Sequence, residues 1–163
     1  MSIFKVIIDL FRVSPKEKYY NYLRNNGYKP DKPSKIGISF EHKKQSYTLV
    51  FNEEDKEEAG LFMRLVCRVY GVREEGEKCD HAINNANAMA KVVGMRPVTR
   101  STAEEGYYCI VIAGTMFLTS PDEFAELFPH ALREVLNAQS NLGTALLHYT
   151  KEQKAKEASK SSD

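Results

Sequence analysis

Three stretches of this sequence carry apolar side chains at every second position, and that period constrains the fold more than any other feature. Ile36, Ile38 and Phe40 alternate with polar residues across Lys35 to Glu41, and Tyr47, Leu49 and Phe51 repeat the pattern. Leu61, Met63, Leu65, Cys67 and Val69 then alternate with a face carrying Arg64 and Arg68. Successive side chains of a strand point to opposite faces, so each stretch predicts a half-buried strand. A sheet with one apolar face needs a second layer to cover it.

The segment from Leu61 to Val72 also fits a helix through Phe62, Val66 and Val69, but its Val-Cys-Arg-Val-Tyr run is rich in strand formers and decides for strand. His42-Lys43-Lys44-Gln45 is short and polar, which favours an antiparallel hairpin even without the Asn-Gly signature of the tightest turns. Asn52 to Gly60 reads as an acidic connector. Tyr107 to Leu118 is the strongest strand, with Cys-Ile-Val-Ile at its centre, and is expected in the interior of the sheet. Arg96 to Ser101, with Pro97 near its start, suits an edge or the beginning of a strand.

The covering layer comes from segments with a helical period. Ser14-Pro15-Lys16-Glu17 is a helix start, with serine as cap, proline at the first helical position and glutamate placed to close a capping box. Tyr19, Tyr22 and Leu23 give this helix an apolar side, and Asn25-Asn26-Gly27 ends it. From Glu74 to Val93, Cys79, Ile83, Ala86, Ala90 and Val93 lie three or four residues apart, predicting a second helix stopped by Gly94, with Asp80, Asn84, Asn87 and Lys91 on its other side. Ser120-Pro121-Asp122-Glu123 repeats the first helix start. After it, Phe124, Phe128, Ala131, Val135, Ala138, Leu142, Ala145 and Tyr149 form one long seam, and Pro129 is expected to kink the helix near Ala125.

The predicted fold class is therefore α+β, in the order α-β-β-β-α-β-β-α, with an antiparallel sheet packed with helices. With 163 residues, 42% of them hydrophobic, the chain suits one core. A single domain is expected over residues 14–150. It is preceded by an apolar segment, 1–13, expected to be helical, and followed by a solvated, frayed tail, 151–163.

A search for chemistry returns mostly negatives. The glycines have neither the spacing nor the Lys-Ser/Thr of a phosphate loop. Cys79 and His81 point about 200° apart on a helix, so they do not start a metal site. Cys67 and Cys109 read as buried strand thiols rather than nucleophiles, and Cys79 as helix packing. The carboxylate groups Glu53-Glu54-Asp55, Glu57-Glu58, Glu74-Glu75 and Glu104-Glu105 fall in connectors or first helical turns, where solvation and the helix dipole explain them. His42, His81, His130 and His148 form no HxxxH pair. No catalytic, cofactor or metal residue is expected, and the chain is not expected to be an enzyme.

The formal net charge of +1 provides no overall field for nucleic acid or an acidic membrane. Three cysteines at unpaired spacings suit a reducing cytoplasm. Met1 to Val13 is interrupted by Lys5, Asp9 and Arg12 and is too short to span a membrane, which needs about 20 apolar residues. Phe4, Ile7, Ile8 and Phe11 in that segment are the expected contacts to a second subunit or partner.

This order of elements resembles the YbjN-type domain, a family described as bacterial sensory transduction regulators, whose fold is similar to that of type III secretion chaperones. The resemblance covers roughly Lys16 to Leu142. It is carried by Tyr22-Leu23 through Gly27, by Ile36-Gly37-Ile38-Ser39-Phe40 with Tyr47-Thr48-Leu49-Val50-Phe51, by Leu65-Val66-Cys67-Arg68-Val69-Tyr70 and by Ile83-Asn84-Asn85-Ala86-Asn87. Type III secretion chaperones are usually markedly acidic, whereas this chain has a pI of about 7.7.

The resemblance implies a domain that binds other proteins, commonly as a dimer, without catalysis or cofactor. The resulting expectation is a non-enzymatic protein-binding domain with a chaperone-like or regulatory role, homodimeric and cytoplasmic, with a protein partner and no nucleic acid. Two alternatives stand beside it. One is a small-ligand protein or enzyme with a pocket between sheet and helices, motivated by Arg64, Arg68 and nearby tyrosines. The other is a nucleic-acid-binding domain.

Overall fold

The computed structural model describes residues 13–51, 61–72, 80–85, 93–99 and 107–160; for 70–72, 93–99 and 107–109 the description is of the backbone alone. Helix α1 runs Pro15–Asn25, and strands β1 (Lys29–Pro30), β2 (Gly37–His42), β3 (Gln45–Phe51) and β4 (Phe62–Val72) follow. Residues 80–85 are helical and are labelled α2. Strands β5 (Val93–Thr99) and β6 (Tyr107–Phe117) come next, then a 3₁₀ turn at Pro121–Glu123 and helix α3, Phe124–Lys160.

The strands form one antiparallel sheet in the order β1-β2-β3-β4-β6-β5. The α+β class and the order of elements agree with the sequence expectation, apart from the two-residue strand β1, which that expectation did not include. β6 has a strand on each side, and β5, which contains Pro97, lies at an edge. An edge suits proline, whose missing N–H breaks no ladder on its free side.

Alternation is realised as predicted. Ile38 and Phe40, Tyr47 and Leu49, Met63, Leu65 and Cys67, and Ile110 and Ile112 are all buried, and Tyr19, Leu23, Phe124, Phe128, Leu132, Val135, Ala138 and Leu142 close over them. Rings knit the two layers together. Tyr19 of α1 lies 5.7 Å from Phe51 of β3, and Phe128 of α3 lies 5.7 Å from Phe40 of β2, which itself stacks on Tyr47 at 5.5 Å. An isolated helix as short as α1 is marginal in water. Complete burial of Tyr19 and Leu23, at about 1.5 to 3 kcal/mol for a large apolar side chain, is what holds it.

Local signals explain the start and end of α1. The Ser14 hydroxyl accepts from the Glu17 N–H at 3.2 Å, Pro15 opens the helix, and Gly27 follows its end at φ +82°. The second Ser-Pro-x-Glu start behaves differently. Ser120 makes no side-chain cap to the turn that follows. Instead Glu123 reaches back to Thr119, accepting from its hydroxyl at 2.5 Å and its N–H at 2.8 Å. Those bonds, the hydroxyl's first, hold the Glu123 carboxyl below the usual range.

Two further details depart from the sequence reading, and a third explains the predicted hairpin. Ile36 is 69% exposed rather than buried, because Gly37 at φ +145° breaks the alternation. A Cβ at Gly37 would collide with the Leu49 carbonyl oxygen, so only glycine fits there. Val93 and Gly94 open strand β5 instead of ending a helix. The hairpin at Lys43 and Lys44 places both lysines at positive φ, 50° and 64°; this is the left-handed geometry of a tight turn in which Asn-Gly is usual.

Helix α3 also outruns its expected end. The apolar seam stops being fully buried at Leu142, yet the helix continues to Lys160, about 27 Å further at 1.5 Å per residue. Along the first part of this extension His81 of α2 meets Tyr149 at 5.1 Å. Residues 151–160 are mostly exposed and are helical rather than frayed. Pro129 lies inside α3 and donates no hydrogen bond to the Ala125 carbonyl. That carbonyl accepts from the Tyr22 hydroxyl of α1 at 3.4 Å instead, so a neighbouring helix uses the acceptor that proline vacates.

Candidate protein-binding face

The same parity that buries Met63, Leu65 and Cys67 turns Phe62, Arg64, Val66 and Arg68 to the opposite side of β4. On the strands beside it, Ser46, Thr48 and Val50 of β3 and Val111, Ala113, Thr115 and Phe117 of β6 share that outward parity. The inward side chains pack against α1, α2 and α3. Among the described residues, no helix lies over the outward side.

This outer face has two distinct ends. At one, Phe62 and Phe117 are register partners with ring centroids 4.8 Å apart. They remain 37% and 72% exposed, and the Arg64 guanidinium lies over the Phe62 ring, 5.7 Å from its centre. At the other end a shallow hollow of about 420 Å³ is lined by Gln45, Ser46, Thr48, Val66, Arg68 and Val69. Thr48 and Val66 are register partners, and Val66, 9% exposed, forms its floor. The Gln45 amide donates to the Arg68 carbonyl at 3.4 Å, and the hydroxyls of Thr48 and Ser39 are 3.2 Å apart.

The covered side holds a polar group that the sequence reading missed. The Tyr47 hydroxyl donates to Gln139 Oε1 at 2.9 Å, and Gln139 Nε2 donates to Cys67 Sγ at 3.1 Å. Burial first, then proximity to Cys67, pushes the Tyr47 phenol up to about 12 against the opposing effect of the Gln139 bond. The phenol is therefore neutral at pH 7 and does not act as a base. Cys67 has no exposed surface, so the relay joins helix to sheet and presents nothing to a substrate. Its only trace in the sequence is Gln139, one position off the apolar seam.

Arg64 and Arg68 thus share no surface with Tyr19 and Tyr47, which are buried on the helix side. The hollow beside Arg68 is open and lies on the outer face, not between sheet and helices. Cys67 is a buried strand thiol, in agreement with its reading, while Cys79 falls outside the described residues. So do Phe4, Ile7, Ile8 and Phe11, the expected partner contacts. Among the described residues no three His, Cys, Asp or Glu side chains converge on a metal position, and no helix is long and apolar enough to cross a membrane.

Comparison with known proteins gives one informative result. No protein-family model and no curated protein sequence matches the chain. Among solved structures, the crystal structure of YbjN from E. coli, provisionally described as a transcription regulator, superposes with a TM-score of 0.54 at 8% identity. The match covers 87% of this chain and 96% of that one. The chain therefore has the fold of a YbjN-type domain, as the order of its strands and helices implied.

Proposed function

We propose that this chain is a non-enzymatic protein-binding domain with a regulatory or chaperone-like role, and that it docks its partner on the outer face of the sheet. The observation that carries this reading is the one-sided arrangement of layers. Three helices cover one side, while the other leaves Phe117 at 72% exposure beside Phe62 and flanks a shallow hollow with Arg68. Folding gains about 1 kcal/mol or less from a cross-strand aromatic pair, and exposed apolar groups rimmed by polar residues are a usual mark of protein contact. The regulator description of YbjN, a protein of the same fold, supports the reading.

The domain is further proposed to act in the cytoplasm as a homodimer through Phe4, Ile7, Ile8 and Phe11. The test compares partner recovery from the native cell, by affinity purification and mass spectrometry, for the tagged wild type and for Thr48→Arg/Phe117→Asp. Both substituted side chains lie on the outer face, so the fold should survive while specific partners are lost. Unchanged recovery would refute docking there. Light scattering on wild type and on Ile7→Asp/Phe11→Asp decides the dimer, which requires a dimeric mass that halves in the variant.

A further inference from the structure

The outward residues of β4 form a line of alternating chemistry: Phe62, Arg64, Val66, Arg68. Alternate residues of a strand are spaced by about 6.6 Å, which puts Arg64 and Arg68 about 13 Å apart and the phenylalanine about 7 Å beyond Arg64. Both arginines are exposed. The partner of the Arg64 guanidinium among the described residues is the Phe62 ring, and the Arg68 side chain makes no ion pair among them. The described outward positions of β3, β4 and β6 contain no carboxylate. Glu41, on the outward side of β2, faces Lys29 at 3.8 Å.

We propose that the occupant of this face is an acidic polypeptide segment, which sets two carboxylates on Arg64 and Arg68 and an apolar side chain against Phe62 and Phe117. The inference rests on the docking reading above and names the chemistry of the partner. Arginine suits carboxylates because its planar guanidinium can donate two parallel hydrogen bonds to one carboxylate. Exposed ion pairs alone bind weakly, so the aromatic pair is needed as the apolar anchor. A nucleic acid fits less well. Its affinity comes from neutralising many closely spaced phosphates, and the described side chains of this face include two widely spaced arginines on a chain of net charge +1.

The test uses the full chain and a short fluorescein-labelled peptide rich in glutamate with one phenylalanine, followed by fluorescence anisotropy at low salt. The peptide is expected to bind, with affinity falling as salt rises. Replacing its glutamates by glutamine should abolish binding, and replacing its phenylalanine by serine should weaken it. Arg64→Glu/Arg68→Glu, with its fold checked by circular dichroism, should lose about tenfold or more in affinity.

No binding of the acidic peptide, equal binding of the glutamine version, or an unaffected arginine variant would each overturn the proposal. Equal or tighter binding of a charge-matched single-stranded oligonucleotide would overturn it in favour of a general polyanion site. The peptide series needs only the wild-type protein, so misfolding of a variant does not blunt it. If cellular partners depend on Thr48 and Phe117 while the acidic peptide does not bind, docking on this face stands and the acidic partner falls.

Discussion

Gln139 is the residue whose replacement most directly tests how α3 is set on the sheet. Apolar contacts alone tolerate small rotations of a helix, whereas Gln139 accepts from Tyr47 at 2.9 Å and donates to Cys67 at 3.1 Å, which fixes one position. Tyr47 is 1% exposed, so Gln139→Leu leaves a buried hydroxyl without this acceptor. A stranded buried donor costs about 1 to 3 kcal/mol, and the added apolar burial of leucine returns about 1 kcal/mol. The expected net loss is about 0 to 2 kcal/mol. Tyr47→Phe strands the amide oxygen of Gln139, a half-buried residue that water can reach more easily, and should cost about 1 kcal/mol.

The double variant Tyr47→Phe/Gln139→Leu removes both polar partners together. Its loss should fall short of the sum of the single losses by about 1 kcal/mol, the coupling expected for groups in direct contact. Urea unfolding of all four proteins at pH 7, followed by far-ultraviolet circular dichroism, measures this. With a slope of about 2 kcal/mol per molar urea, 1 kcal/mol moves the midpoint by about 0.5 M, well within resolution. Strict additivity of the single changes would show that the Tyr47–Gln139 bond carries no net energy, and the argument that it fixes α3 would fail.

Two further outcomes follow from the core and the hairpin. Burial pushes the Tyr19 and Tyr47 phenols from 10.0 up to about 12, with the charge of Asp122 adding to the first and Cys67 to the second. The folded form therefore holds these protons more tightly than the unfolded one. The stabilisation is complete below about pH 10 and is lost as pH rises towards 12. Stability measured across that window should fall steeply and fall less steeply in Tyr47→Phe; an identical slope in the variant would contradict the burial argument. In the hairpin, Lys43→Asn/Lys44→Gly places residues suited to positive φ at 50° and 64°. It should raise stability by about 1 kcal/mol in urea unfolding, after allowance for the extra freedom of unfolded glycine. A lower or unchanged midpoint would refute it.

Most of the fold was legible because alternation is a strong signal wherever one face is buried. The positions of Ile38, Phe40, Tyr47, Leu49, Met63, Leu65 and Cys67 follow from parity alone. Ile36 escaped because the same parity holds only while the backbone stays extended, and the φ of Gly37 depends on a close approach to Leu49 that no local pattern records. The Val93 boundary was misplaced for a related reason. A residue spaced three from Ala90 fits a helix, but its pairing with Gly114 across β6 is a long-range contact that local periodicity cannot weigh. Likewise the helical tail has no apolar seam of its own beyond Tyr149, so its charged residues read equally well as coil.

The outer face was illegible on different grounds. Outward residues of a half-buried strand have the same composition whether they meet water or a partner, so Arg64 and Arg68 suggested only a pocket shared with tyrosines, of which Tyr19 and Tyr47 are buried on the other side. What distinguishes them is pairing: β4 against β6 brings Phe62 beside Phe117, two rings that sequence distance separates. Folding fixes the parity of each strand but places little demand on what its outward positions contain. Threonine at 117, also a strand former, would cost the sheet only the ring pair with Phe62, about 0.2 to 1 kcal/mol, at a site left 72% exposed. An exposed aromatic pair beside arginines that have no ion pair among the described residues is thus the part of this molecule that stability explains least, which is the physical ground for seeking the partner there.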